Sequence, residues 1–215
     1  MNRKIIFIVS AAALLFVFAV GTLLYRSDRA AESQSAAGAN QALLARFHAP
    51  GVGRQDAKVH IVEFLDPACE TCRAFYPLVK KMIAENPDRI RLSVRHVAFH
   101  PGSDFVVRVL EAAKKQGRYW QTLEALLATQ PTWVVNHTVR AELVRLDGMG
   151  LDLERLKSDM NDPEVGRLIE QDRADAKALN VTKTPEYFVN GRPLPSFGYE
   201  QLTRLVEEEL ARHYR

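Results

Sequence analysis

The chain has 215 residues, 47% of them hydrophobic and 8% aromatic, which is enough apolar material for a core and excludes a wholly disordered chain. Lysine and arginine number 29 against 26 aspartate and glutamate, a net charge of +3. The charge is spread along the sequence, without a basic block or interleaved aromatics, and this argues against nucleic acid as a partner.

In chain order, Arg3 and Lys4 precede an uncharged run from Ile5 to Tyr25, IIFIVSAAALLFVFAVGTLLY. About 20 apolar residues suffice to cross a bilayer as a helix. The basic flank favours keeping residues 1–4 in the cytoplasm and sending the rest across. The expected arrangement is a single-pass inner-membrane anchor over residues 5–25 with its domain in the periplasm or an equivalent space. A cleaved signal peptide is the alternative reading. Residues 26–46 read as a linker, small and polar at first, with QALLARF at Gln41–Phe47 as a short amphipathic helix.

The domain is expected over residues 47–215. Lys58–Leu65 is β-branched and predicts a strand, Cys69–Glu85 a helix with Pro77 as a kink, and Ile90–Phe99 a second strand. A strand, a helix and a strand in that order make a βαβ unit with a parallel pair. Residues 103–179 carry helical spacing in five stretches: Asp104–Gln116, Tyr119–Ala128, Val139–Leu146, Asp152–Met160 and Pro163–Leu179. Strand character returns at Pro185–Val189, turns at Asn190–Gly191 into Arg192–Phe197, and the chain closes on a helix over Tyr199–Tyr214. The fold class is α/β, a sheet interrupted by a helical insertion.

The two cysteines, Cys69 and Cys72, form one CETC motif at the expected start of a helix, and there is no disulfide framework around them. Free N–H groups and the positive end of the helix dipole favour a thiolate at position 69. Cys72 lies on the same face and can resolve a mixed disulfide, so Cys69 is the attacking and Cys72 the resolving thiol. Two other readings compete. Half of a zinc site would need further ligands, for which His96 and His100 are the best available, and they lack a matching second pair. A structural disulfide closing so short a loop would restrict the unfolded chain little.

Three stretches, VEFLDPACETC, HPGSDFVVRVLEAAKKQGRYWQTLEALLATQPTW and VTKTPEYFVNGRPL, resemble the DsbA-like branch of thioredoxin-fold disulfide oxidoreductases over roughly residues 56–210. The resemblance implies a thioredoxin-like fold and a redox pair in which Cys69 is the exposed nucleophile. It implies a cis bond before Pro185, with the backbone of Thr184 facing the active sulfur and able to pair with a substrate strand. Glu63 corresponds to the family's buried acid, whose raised pKa would let it exchange a proton with Cys72.

No metal and no organic cofactor is expected, since the cysteine pair is itself the redox group. The expected partners are exported protein thiols or disulfides and a membrane protein that resets the pair. The chain is expected to be a monomer.

Oxidising members commonly carry Pro-His between the cysteines, where this chain has Glu70 and Thr71; Asp66 is also its own choice. A carboxylate beside Cys69 disfavours the thiolate, so the disulfide is expected to be a weaker oxidant than in those relatives. A non-catalytic chaperone or assembly scaffold, or a zinc-binding module, remains as an alternative. Trp120 and Trp133 are expected in the core, His137 and His213 at the surface, and Glu207–Glu209 on a solvated helix face.

Overall fold

The structure is a computed structural model and describes residues 12–22, 24–25, 38 and 40–214. Its centre is strand β2 (Val59–Leu65), which pairs in parallel with β3 (Ile90–His96), from Val59 opposite Ile90 to Leu65 opposite His96. Helix α1 (Glu70–Glu85) makes the crossover between them and contains Pro77. On the other side β2 pairs antiparallel with β6 (Glu186–Val189), which continues through Asn190–Gly191 into the edge strand β7 (Arg192–Pro193). Both turn residues have positive φ, as a two-residue hairpin of this hand requires. A short strand β1 (Gly51–Val52) covers the other edge, giving the order β1-β3-β2-β6-β7.

β2 is buried along nearly all its length, as a central strand covered on both faces must be. Alternation sorts its side chains. Val59, Ile61 and Leu65 enter the main core with Phe75 and Val79 of α1 and with Leu202, Leu205 and Val206 of the closing helix α6 (Tyr199–His213). Val62 and Phe64 face a second core with Leu44, Ala176, Val181 and Phe188.

The insertion consists of α2 (Ser103–Lys115), α3 (Tyr119–Trp133), a hairpin of β4 (Val134–Val135) and β5 (Thr138–Val139), α4 (Leu153–Met160) and α5 (Pro163–Ala178). The last two are capped by Asp152 and Asp162, whose carboxylates accept from the Arg155 and Glu164 N–H groups, with Pro163 in the first turn of α5.

Several elements differ from expectation. Val139–Leu146 is not a helix: Val139 ends the hairpin and only Ala141–Leu143 makes a 3₁₀ turn. Val134, Val135 and Val139 suit strands, and Asn136 and His137 adopt left-handed φ of 51° and 58° between them. The second strand stops at His96 because the Phe99 and His100 N–H groups turn to the Asp66 carboxylate. Helix α3 runs through Pro131 to Trp133, which is fully buried. Glu209 is buried too, bound by Arg192 and Asn190 instead of lying on a solvated face.

Residues 40–44 are helical, Leu44 is buried and Arg46 pairs with Asp175 at 2.7 Å, so packing begins inside the expected linker. Residues 12–22 and 24–25 are helical as well, with Leu14, Leu15, Phe16, Val17 and Phe18 exposed. No helix among the described residues is long and apolar enough to cross a membrane; residues 1–11 and 23 of the expected anchor and its flank lie outside them.

Arg95 on β3 is fully buried and donates to Asp172 at 2.7 Å, to Asp175 at 2.6 Å and to the Leu43 carbonyl at 2.8 Å. Asp172 also meets His48 at 2.6 Å and accepts from the His96 N–H at 2.9 Å. The network fastens α5 and residues 43–48 to the sheet. Removing one partner of a buried charge group leaves the other uncompensated, so Asp172→Asn is expected to cost about 3 kcal/mol in urea unfolding.

The hydrogen bonds and cations around Asp172 and Asp175 outweigh burial and hold both carboxyls below their ordinary values. The folded state therefore binds fewer protons than the unfolded one. This stabilisation is complete above the ordinary carboxylate pKa of about 4 and is lost as pH falls through the lowered folded values. Urea midpoints measured down to pH 3 should fall accordingly, and less steeply in Asp172→Asn.

Candidate active site

After β2 the chain turns through Asp66, Pro67 and Ala68, and Cys69 becomes the N-cap of α1, with φ −76° and ψ 119°. Two side chains fix this turn. The buried Asp66 carboxylate accepts from the Ala68 N–H at 2.8 Å, the Phe99 N–H at 2.8 Å, the His100 N–H at 2.9 Å, His100 Nδ1 at 2.8 Å and the Ser103 hydroxyl. Gln130, reaching over from α3, donates through Nε2 to the Pro67 carbonyl at 2.8 Å and the Cys69 carbonyl at 3.0 Å. Sequence reasoning missed Gln130 entirely and gave Asp66 no role; a single polar residue on a helix, or one in a turn, carries no local sign of such a partner.

The peptide bond between Thr184 and Pro185 is cis, and the Cys69 thiol donates to the Thr184 carbonyl at 3.2 Å. Thr184 and Pro185 are thus brought to the active sulfur from the start of β6. Both cysteines are free thiols. Cys69 is 6% exposed and Cys72 not at all, so the first sulfur is the accessible one without standing free of the surface.

The Cys69 thiol is lowered to about 5. The Cys72 thiol donating to it is the largest cause; the Thr184 hydroxyl and the N–H groups of Cys72 and Thr71 add to this, against the effect of burial. Cys72 is pushed the other way, by burial first and then by its bond to Cys69 and the charges of Glu63 and Cys69.

Glu63 shares a strand face with Ile61 and Leu65, so its carboxyl lies in the main core. Burial raises it to about 8, although the Tyr187 hydroxyl, donating to Oε1 at 3.0 Å, pulls downward. Its Oε2 is buried without a hydrogen-bond partner. At neutral pH Glu63 is a carboxylic acid with a proton to give.

Glu70, expected to tune the redox pair, is the first residue of α1, directly after Cys69. Its carboxylate is partly exposed and lies 3.2 Å from His137 Nδ1. Thr71 acts through its backbone N–H. Of the two histidines considered as zinc ligands beside the cysteines, His96 is engaged through both ring nitrogens and His100 through Nδ1. His96 is buried between Glu111 at 3.2 Å and the Tyr119 hydroxyl at 3.0 Å, and His100 is bound to Asp66.

The thioredoxin family model matches residues 48–208, and the chain belongs to this family, in its DsbA-like branch of thiol:disulfide oxidoreductases. It is 27% identical over 173 residues to disulfide bond formation protein D of Bacillus subtilis, covering 75% of this chain and 77% of that one. A thioredoxin-like oxidoreductase from Silicibacter pomeroyi superposes with a TM-score of 0.63 at 29% identity, covering 81% of this chain and 98% of the other. The α-DsbA2 protein of Wolbachia pipientis, at 18% identity, shares the fold with a TM-score of 0.68, over 84% and 97% of the two chains. The chain is also 33% identical over 158 residues, 72% of its length, to a Na(+)/H(+) antiporter NhaA of Herminiimonas arsenicoxydans, of which it spans only 24%.

The two sulfurs should titrate far apart. Alkylation of Cys69 by iodoacetamide is expected to reach half its maximal rate near pH 5, with Cys72 silent through neutrality. Thr184→Val keeps the shape and removes the hydroxyl, and should move that midpoint upward.

Proposed function

We propose that the chain is a membrane-anchored thiol:disulfide oxidoreductase that exchanges disulfides with exported proteins through Cys69 and Cys72. The observation that carries this reading is the split between the sulfurs: one thiolate stabilised at a helix start against Thr184, the other held protonated beside a buried acid. In the oxidising direction a substrate thiolate attacks Cys69 Sγ. The Cys69–Cys72 bond breaks, and Cys72 leaves with the electron pair and takes a proton from Glu63. A second substrate thiolate then attacks the substrate sulfur of the mixed disulfide and expels Cys69 as a thiolate, a good leaving group because of its low pKa. The substrate gains a disulfide, the cysteine pair gains two electrons, and a membrane redox partner removes them. The pair is the redox group, with no metal or organic cofactor in any step.

A Cys69 value of about 5 lies between the first thiols of DsbA, about 3.5, and thioredoxin, about 7. The couple should accordingly be a weaker oxidant than the strongest members, with a potential between about −120 and −270 mV. The extracytoplasmic placement is supported by the uncharged run Ile5–Tyr25 with its basic flank, and by the use of only two cysteines in one motif. The name of the Bacillus relative, disulfide bond formation, agrees with it. Near the cis bond, Phe197, tilted against Phe75, and Tyr199, stacked on it, are half exposed and offer apolar surface to an extended polypeptide.

Equilibration of the full chain against glutathione, read by alkylation of free thiols, should give a reversible two-electron couple inside that interval. Cys69→Ser should abolish exchange, and Cys72→Ser should accumulate mixed disulfides with substrate. Absence of a reversible couple in the intact chain would overturn the assignment.

A further inference from the structure

We propose that Glu70, His100 and His137 form a binding site for a divalent transition-metal ion of the zinc class on the face that carries Cys69. The potential ligand atoms of these three side chains all lie within 4.8 Å of one another. A tetrahedral ion with bonds of about 2.0–2.2 Å needs donors roughly 3.3 Å apart, so the set must draw together on binding. One pair is already at that spacing, Glu70 Oε1 and His137 Nδ1 at 3.2 Å.

Each ligand is positioned by something other than the site. Glu70 is the first residue of α1, directly after Cys69. His100 donates Nδ1–H to Asp66 at 2.8 Å, and Asp66 is itself buried and held by four further donors. That carboxylate fixes the ring and its tautomer and leaves Nε2 to face an ion, the second-shell arrangement common to metal-binding histidines.

His137 occupies the second left-handed position of the β4–β5 turn, an uncommon conformation for a residue with a side chain. The hairpin is docked by the Val139 N–H to the Pro101 carbonyl at 2.9 Å and by the Arg140 N–H to the Trp133 carbonyl at 2.7 Å. It also sits against Gly102, where an added Cβ would meet Val139 Cβ at 3.1 Å. The close approach at Gly102 therefore ties the hairpin to the very loop that carries His100.

Two imidazoles and one carboxylate match the donor set of the three-ligand, open sites that zinc occupies elsewhere. As a plain ion pair, exposed His137 and Glu70 would be worth little in water. The set is distinct from a zinc site built on the CxxC pair, since it uses neither sulfur.

The test uses the full chain without a histidine tag, as the Cys69→Ser, Cys72→Ser double variant, so that thiolates cannot supply ligands. The outcome is then independent of the redox reading. Co²⁺ is titrated by visible absorbance and Zn²⁺ by calorimetry, with thermal melts to establish that each variant is folded.

One ion per chain is expected, with His137→Ala, His100→Ala and Glu70→Gln each weakening affinity about tenfold or more. His213→Ala, a histidine on α6 that pairs with Glu209, should leave it unchanged. No saturable binding, binding untouched by His137→Ala, or equal loss in His213→Ala would overturn the site.

Discussion

The geometry of this active site depends on one buried carboxylate. Asp66 has no solvent, and a buried charge without partners is costly, so its five donors are a condition of the fold and not an ornament of it. Those donors come from the turn before Cys69, the loop after β3 and the first residue of α2. Through these bonds the three segments are held as one piece. β3 stops where it does because its next backbone donors are drawn to this carboxylate. Gln130 adds a second tie, from α3 to the carbonyls of Pro67 and Cys69. The helical insertion is therefore part of what holds Cys69 at the helix start.

From that position the two sulfurs diverge. Cys69 meets N–H groups, a hydroxyl and the Cys72 thiol, all of which favour its charge. Cys72 lies one helical turn deeper, beside Glu63, where burial and like charge favour the neutral form. Strand parity fixes the second half of this arrangement: Glu63 alternates with Val62 and Phe64, so it cannot leave the main core without moving all of β2. Its Oε2 is buried without a hydrogen-bond partner, and burial keeps its carboxyl raised.

Much of this was legible in the sequence, for local reasons. β2 and β3 are β-branched and bounded by turn residues, and the Asn190–Gly191 turn has its own chemistry. The CxxC motif before a helix located the chemistry. What was hidden is long-range. Arg95 meets aspartates 77 and 80 residues away, and nothing near Arg95 says which acids will find it. Gln130 and Glu209 look like surface residues until the partner elements close over them. The cis bond before Pro185 was legible only through resemblance to a family. The hairpin at Val134–Val139 was lost because a few apolar residues over one or two turns fit a helix and a strand equally well.

Adjacency along the chain and contact in space are different things, and Glu70 illustrates the first. It follows Cys69 directly, and a charge so placed invites the conclusion that it sets the thiol. Yet the influence of a group depends on what lies between it and the sulfur. Glu70 reaches water and lies 3.2 Å from the His137 imidazole. The groups that touch the sulfur contribute hydrogen bonds that exist only with the charged form, in a largely dry environment where such bonds are strong. The groups that lower the Cys69 thiol are accordingly Cys72, Thr184 and the first turn of α1. The residues between the cysteines act chiefly through the backbone they provide and the neighbours they recruit.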